Sequence, residues 1–156
     1  MQAFRLALKS NIEHELVLVW GDPPAEYTEE FAKEINSGKI RILRHVNDLM
    51  LRQLYTASTL SWFPSRYEGF GLPVLESMAC GTPVVTCKNS SLSEVGGDAA
   101  LYVDPDDIEG MADIMIDFNK GFSTYDDLVS RSIEHASRFT WAKTAEAYVK
   151  FYQSNM

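Results

Sequence analysis

The stretch RYEGFGLPVLESMACGTPVV, residues 66–85, places Glu68 and Glu76 eight positions apart, with two glycines and a proline between them. Gly69 and Gly71 open backbone conformations closed to other residues and let a ligand approach the main chain. Pro73 suits the first helical turn, so the spacing predicts free N–H groups from about Phe70 to Leu75, backed by the positive end of a helix dipole. Such a cradle holds a phosphate or diphosphate without any lysine. Glu76, expected in the first turn, offers two oxygens to a vicinal diol such as a ribose, and Glu68 could do the same for a sugar beyond the diphosphate. Ribose, diphosphate and hexose in that order describe a sugar nucleotide.

A plainer account exists for each half of the pattern. The dipole alone favours a glutamate in a first helical turn, and Gly-x-Gly before a helix is common punctuation. Neither GxGxxG nor GK[ST] is present. The two glutamates, two glycines, Pro73 and the closing Gly81-Thr82-Pro83 argue for function as a set.

The surrounding elements must position this stretch. An amphipathic helix is predicted over 2–13 with no strand before it, then a strand over 15–21 whose apolar run suits burial on both faces of a parallel sheet. Asp22 is read as a cap and Pro23 as the first residue of a helix ending at Gly38. Strands follow at 39–43, 59–63, 83–87 and 99–103. Helices are expected over 47–58, from Pro73 to about Cys80, over 108–118, 124–137 and 141–154, and capping-box spacing is noted at Ser91/Glu94 and Asp106/Glu109. Strand and helix alternate about five times, which argues for a doubly wound, Rossmann-like α/β domain with a mostly parallel sheet. In such sheets ligands lie outside the carboxyl ends of the strands, where FPSRYEGFGLP, residues 63–73, falls.

The 156 residues suffice for one core. With 14 basic and 22 acidic residues the net charge is −8, which argues against nucleic-acid binding. Cys80 and Cys87 lack metal or redox spacing and read as buried thiols. No apolar run is long enough to span a membrane, and a cytoplasmic location is expected. Asp104-Pro105-Asp106-Asp107 reads as a turn and helix cap rather than a metal site. Trp20, Trp62, Phe63, Tyr148, Phe151 and Tyr152 read as packing residues, with apolar positions left exposed on the last helix.

PSRYEGFGLPVLESMACGTPVV, continued by SSLSEVGGDAALYVDPDD and FTWAKTAEAYVKFY, resembles the retaining glycosyltransferases of family 4, which have the GT-B fold of two Rossmann-like domains. The likeness is to the carboxy-terminal, donor-binding domain. It implies that Glu68 contacts the transferred sugar, that the amides of Gly69, Phe70, Gly71 and Leu72 meet sugar or diphosphate, and that Glu76 holds the ribose. Arg44 and His45 would line the base pocket, although such proteins often carry glycine near His45. No metal or other cofactor is implied. Arg66 stands near enough to the cradle to assist.

The amino terminus departs from the family pattern. A donor domain of this kind opens with a strand, a glycine-rich turn and a cationic pair, none of which precedes Met1-Gln-Ala-Phe-Arg, and Arg5 and Lys9 do not match that pair. Residues 1–156 are therefore expected to be an amino-terminally truncated nucleotide-sugar-binding domain, inactive alone, from a hexosyltransferase of polysaccharide, glycan or glycolipid synthesis. The absent acceptor domain is an expected partner and a route to a membrane surface, and the fragment is a candidate homodimer. Rival readings are a nucleotide-sugar binding or assembly module without catalysis, a two-glutamate glycoside hydrolase, and a GT-B relative such as an epimerase.

Overall fold

The structure is a computed structural model and describes residues 1–121 and 123–155. Helix α1, Gln2–Ala7, passes through a 3-10 turn over Leu8–Ser10 and stops at Asn11, whose φ of 54° is left-handed. It is shorter than its periodicity suggests, yet it buries Ala3, Phe4 and Ala7. Strand β1, Leu16–Val19, runs parallel to β2, Ile40–Leu43, with Leu16 opposite Ile40. Between them lie α2, Ala25–Glu30, and α3, Ala32–Asn36, which corrects the single helix expected there. Pro24 rather than Asp22 stands at the cap, and Pro23 precedes the helix. Phe31, at the break, is buried.

Helix α4, Asp48–Ala57, starts from an Asn47 side chain that accepts the Met50 N–H at 2.9 Å, an ordinary N-cap. It leads to β3, Ser61–Phe63. Then follow α5, Leu72–Ala79; β4, Val84–Cys87; α6, Leu92–Gly96; and β5, Leu101–Val103. Strands β3, β4 and β5 form a second parallel sheet in that order. β4 is buried throughout, as an apolar run in the middle of a parallel sheet should be. Helices α7, Ile108–Asn119, α8, Tyr125–Ala136, and α9, Trp141–Ser154, end the chain.

The core has two centres. Phe4, Ala7, Ile12, Phe31, Ile40 and Ala112 cluster around the first sheet, while Val74, Met78, Val84, Leu92 and Val95 cluster around the second. Each fully buried Val, Leu, Ile, Met or Phe side chain among them contributes about 1.5–3 kcal/mol. Between β1 and β3 lies an open cavity of about 800 Å³. Val17 and Val19 line it and stay 37% and 50% exposed, so β1 is not buried on both faces as its apolar run implies. The last helix carries the exposed apolar positions expected of it, but Tyr148, Phe151 and Tyr152 are themselves among them. They are about 60% exposed, which corrects their reading as packing residues. No helix among the described residues is long and apolar enough to cross a membrane.

Candidate functional site

β2 leads through α4 to β3, which opens the second sheet across the cavity from β1, so the chain crosses the molecule at a switch point between β1 and β3. The carboxyl ends of strands flanking such a switch point are where α/β sheets bind ligands. The loop 64–71 leaves the carboxyl end of β3 there and feeds α5.

Gly71 forms the corner. Its φ is +104° and it is buried, and a Cβ at this position would lie 2.7 Å from Leu92 Cδ2 on α6. Both backbone and space therefore require glycine. A Cβ at Gly69 would meet nothing within 4 Å, and the φ there is not left-handed, so the small residue leaves open surface rather than relieving a clash. The N–H groups of Gly69, Phe70, Gly71 and Leu72 find no acceptor among the described residues. The Val74 N–H is taken by the Gly71 carbonyl at 3.0 Å, which shortens the expected donor run. Gly69, Phe70 and Leu72 are exposed, so those donors open to solvent.

Helix α5 begins at Leu72 with Pro73 second, one residue earlier than expected. Glu76 therefore stands beyond the first turn, which holds no acidic residue. The helix dipole falls off within that turn, so it does not explain a glutamate here. Glu76 is exposed and lines the cavity with Pro73 and Tyr55. Burial, first, and the neighbouring Glu76 carboxylate push the Tyr55 hydroxyl up to about 12, so it stays protonated as a donor beside that carboxylate. Tyr55 carried no signal in the sequence beyond helical periodicity.

Glu68 is half-buried and is held through its own backbone. Its N–H donates to Ser90 Oγ at 3.2 Å, and Ser91 Oγ donates to its carbonyl at 2.9 Å. Asn89 Nδ2 adds a bond to the Ser65 carbonyl at 3.1 Å. The loop after β4 thus stitches the loop after β3. Ser91 does stand at the N-cap of α6, but its side chain makes no capping bond, because the hydroxyl goes to Glu68 instead. Phe70 leans edge-on to Phe139 with ring centroids 6.3 Å apart.

Arg66 makes a bidentate ion pair with Asp106, one arm at 2.8 Å. That pairing holds the exposed Asp106 carboxyl below its ordinary range and leaves the guanidinium committed. Asp107, not Asp106, caps α7 by accepting from the Gly110 N–H at 2.8 Å. Asp104 Oδ1 accepts from the Asp106 N–H at 2.9 Å. The three carboxylates are thus a turn, an ion pair and a cap, and no metal-holding cluster is found among the described residues. Arg5 is spent on Glu34 and Glu30. Arg44 and His45 follow β2, the strand on the far side of β1 from the cavity, and no described contact joins them to the cradle. His45 adopts a φ of 53°, a conformation that favours glycine. Cys80 and Cys87 are free thiols.

Residues 1–119 match the family model described as glycosyl transferases group 1. The O-antigen chain mannosyltransferase B of Escherichia coli is 33% identical over 159 aligned residues, which cover 98% of this chain and 41% of that protein. Among solved structures, the sucrose-phosphate synthase of Thermosynechococcus elongatus superposes with a TM-score of 0.81 at 24% identity, covering 98% of this chain and 41% of that one. The pneumococcal O-GlcNAc transferase GtfA, solved with UDP and GlcNAc, gives 0.80 at 18% identity over 98% of this chain and 32% of its own. The chain thus spans about two fifths of the length of the mannosyltransferase it matches. Its fold is the Rossmann-like α/β arrangement of GT-B proteins, and the chain belongs to the group 1 glycosyltransferases.

Proposed function

We propose that these residues form the donor-binding, carboxy-terminal domain of a retaining glycosyltransferase of family 4, which moves a glycosyl unit from a nucleotide diphosphosugar to a hydroxyl acceptor. The observation that carries the reading is the run of four unpaired N–H groups, Gly69 to Leu72, at the start of α5, with Glu68 before it and Glu76 beyond. The diphosphate lies against the amides, Glu76 takes the ribose hydroxyls, and Glu68 positions the hexose. As the anomeric bond breaks, charge builds on the leaving diphosphate, so fixed dipoles aimed at it favour the transition state over the ground state. The seam from Ser90 and Ser91 holds Glu68 in place without reorganisation. Arg44 and His45 are proposed at the base. The chemistry is proposed to need the acceptor domain, which places catalysis in the longer protein and donor binding here.

A second reading, a nucleotide-sugar binding module without catalysis of its own, draws on the same cradle and on the two-fifths coverage of the mannosyltransferase. Calorimetric titration with UDP-, GDP- and ADP-sugars, followed by a transfer assay, separates the readings. Binding of one nucleotide class without turnover by residues 1–156, and turnover once an acceptor domain is attached, supports the transferase. Sugar release from oligosaccharides that Glu68→Gln abolishes, with no nucleotide affinity, contradicts both in favour of a hydrolase.

A further inference from the structure

The loop 68–71 is fixed at both ends and bare in its middle. Glu68 is bonded through its N–H and its carbonyl to Ser90 and Ser91, and Gly71 is closed in by Leu92 and Val95 of α6. Gly69 and Phe70 between them make no main-chain hydrogen bond among the described residues. Gly69 has no side chain, so the anchor of this span is the Phe70 ring, which meets Phe139 edge-on with centroids 6.3 Å apart and planes at 75°. Phe139 is itself held. It is half-buried against the core cluster of Val74, Met78 and Leu92, and its N–H donates to the Ala136 carbonyl at 3.1 Å. The His135 ring lies 5.3 Å from it, and His135 Nε2 donates to the Val95 carbonyl at 2.8 Å. That imidazole fills the place of a side chain at Gly97, where a Cβ would lie 2.5 Å from its Cε1. One turn earlier, Arg131 and Ser132 donate to the carbonyls of Asp98 and Ala99 at 2.6 and 3.2 Å. The end of α8 is thus pinned to α6 and to the turn after it, and Phe139 stands just beyond that end.

We propose that Phe139 is a positioning residue for the donor cradle: it holds the Phe70 ring, and with it the free Gly69 and Phe70 amides, in one orientation without touching the ligand. The consequence for the ligand rests on the donor-binding reading. An edge-to-face pair sets the positive edge of one ring against the negative face of the other, an attraction beyond that of the buried area. Leucine fills much of the same space and offers neither edge nor face. Amides aimed in advance at a diphosphate need no reordering when it arrives, whereas a span loosened at Phe70 must be ordered on binding. Loss of the ring pair therefore weakens binding without abolishing it. Phe70 is 44% exposed, so its own packing does little for the fold, and the pair serves the loop rather than the core.

The test uses the ¹⁵N-labelled protein and the variants Phe139→Leu, Phe139→Tyr, Phe70→Leu and the double variant with leucine at both positions. Without ligand, the heteronuclear NOE of the Gly69 and Phe70 amides should fall in every leucine variant and hold in Phe139→Tyr, while Ala99 and Ser132 keep theirs throughout. Titration with UDP-, GDP- and ADP-sugars should show, for the one the unaltered protein binds, an affinity loss of about three- to tenfold in each single leucine variant. Phe139→Tyr should bind as the unaltered protein does, and the double variant should lose no more than Phe70→Leu alone. Unchanged NOE at Gly69 and Phe70 in Phe139→Leu overturns the proposal, as do loosened amides with undiminished affinity, an equal loss in Phe139→Tyr, or losses that multiply in the double variant. If Phe139→Leu does not fold, Phe70→Leu decides by the same NOE, since the exposed Phe70 can change without unfolding the chain. A protein that binds none of the sugar nucleotides fails the donor-binding reading, and the ligand-free NOE then decides Phe139 on its own.

Discussion

Ser91 Oγ donates to the Glu68 carbonyl at 2.9 Å, and this bond couples the loop after β4 to the residue proposed to position the sugar. Ser91→Ala removes it while leaving α6 without the loss of any side-chain cap, since none is made. We expect a stability change near 1 kcal/mol in denaturant unfolding, the net worth of one hydrogen bond, and a several-fold drop in nucleotide-sugar affinity. A fall in affinity beyond what the lost stability accounts for, with binding measured where the variant is fully folded, is the signature of positioning.

The two glycines of the cradle should respond differently. Gly71→Ala forces a side chain into a φ of +104° and against Leu92, at a cost of about 2 to 4 kcal/mol from backbone strain and overpacking together. Gly69→Ala meets open space and should leave thermal stability nearly unchanged, while crowding any ligand on the loop. Differential scanning calorimetry of both variants reads the first contrast, and a nucleotide titration of Gly69→Ala reads the second.

Tyr55→Phe deletes a hydroxyl kept protonated beside Glu76. Nucleotide affinity should fall by about 0.5 to 1.5 kcal/mol, the scale of a single hydrogen bond, with the far-ultraviolet spectrum unchanged. Unaltered affinity would show that Glu76 needs no help from α4.

Acid should weaken the fold partly through Glu34. Its hydrogen bond from Arg5 Nε at 2.6 Å, with a second from the other arm at 3.1 Å, holds the carboxyl below its ordinary value. A depressed folded pKa means that the unfolded chain binds more protons, so this stabilisation is present above the usual glutamate range and is lost as pH falls through the folded value. Glu34→Gln should cost about 1 to 2 kcal/mol at pH 7 and flatten the decline in stability below about pH 4.5. Urea unfolding across pH 3 to 7 measures both.

Much of the fold was legible because apolar runs and glycine stops are local signals. The buried β4 and the αL Gly81 after α5 lie where the spacing puts them, whereas the free N–H run falls at Gly69–Leu72 instead of about Phe70 to Leu75 because α5 starts one residue early. Caps were less legible, because neighbouring Asp and Ser residues compete for them. Asp106 went to Arg66 and left the cap to Asp107, and Ser91 went to Glu68. Whether a side chain caps its own helix or reaches another loop depends on contacts 20 to 40 residues away, which no local window contains. Tyr55 was hidden for the same reason. The half-exposed Val17 and Val19 look like fully buried strand residues in sequence, since what covers a strand is set by its neighbours and not by its own run.

Whether main-chain donors at the start of α5 hold a diphosphate while Glu76 holds the attached ribose is tested most directly by amide shifts. The ¹⁵N-labelled protein is titrated with UDP-, GDP- and ADP-sugars, and the titration is repeated on Glu76→Ala. We predict shifts centred on Gly69 to Leu72 for one nucleotide and a loss of about 1 to 3 kcal/mol of affinity in the variant. Shifts elsewhere, or equal affinity in Glu76→Ala, would contradict it.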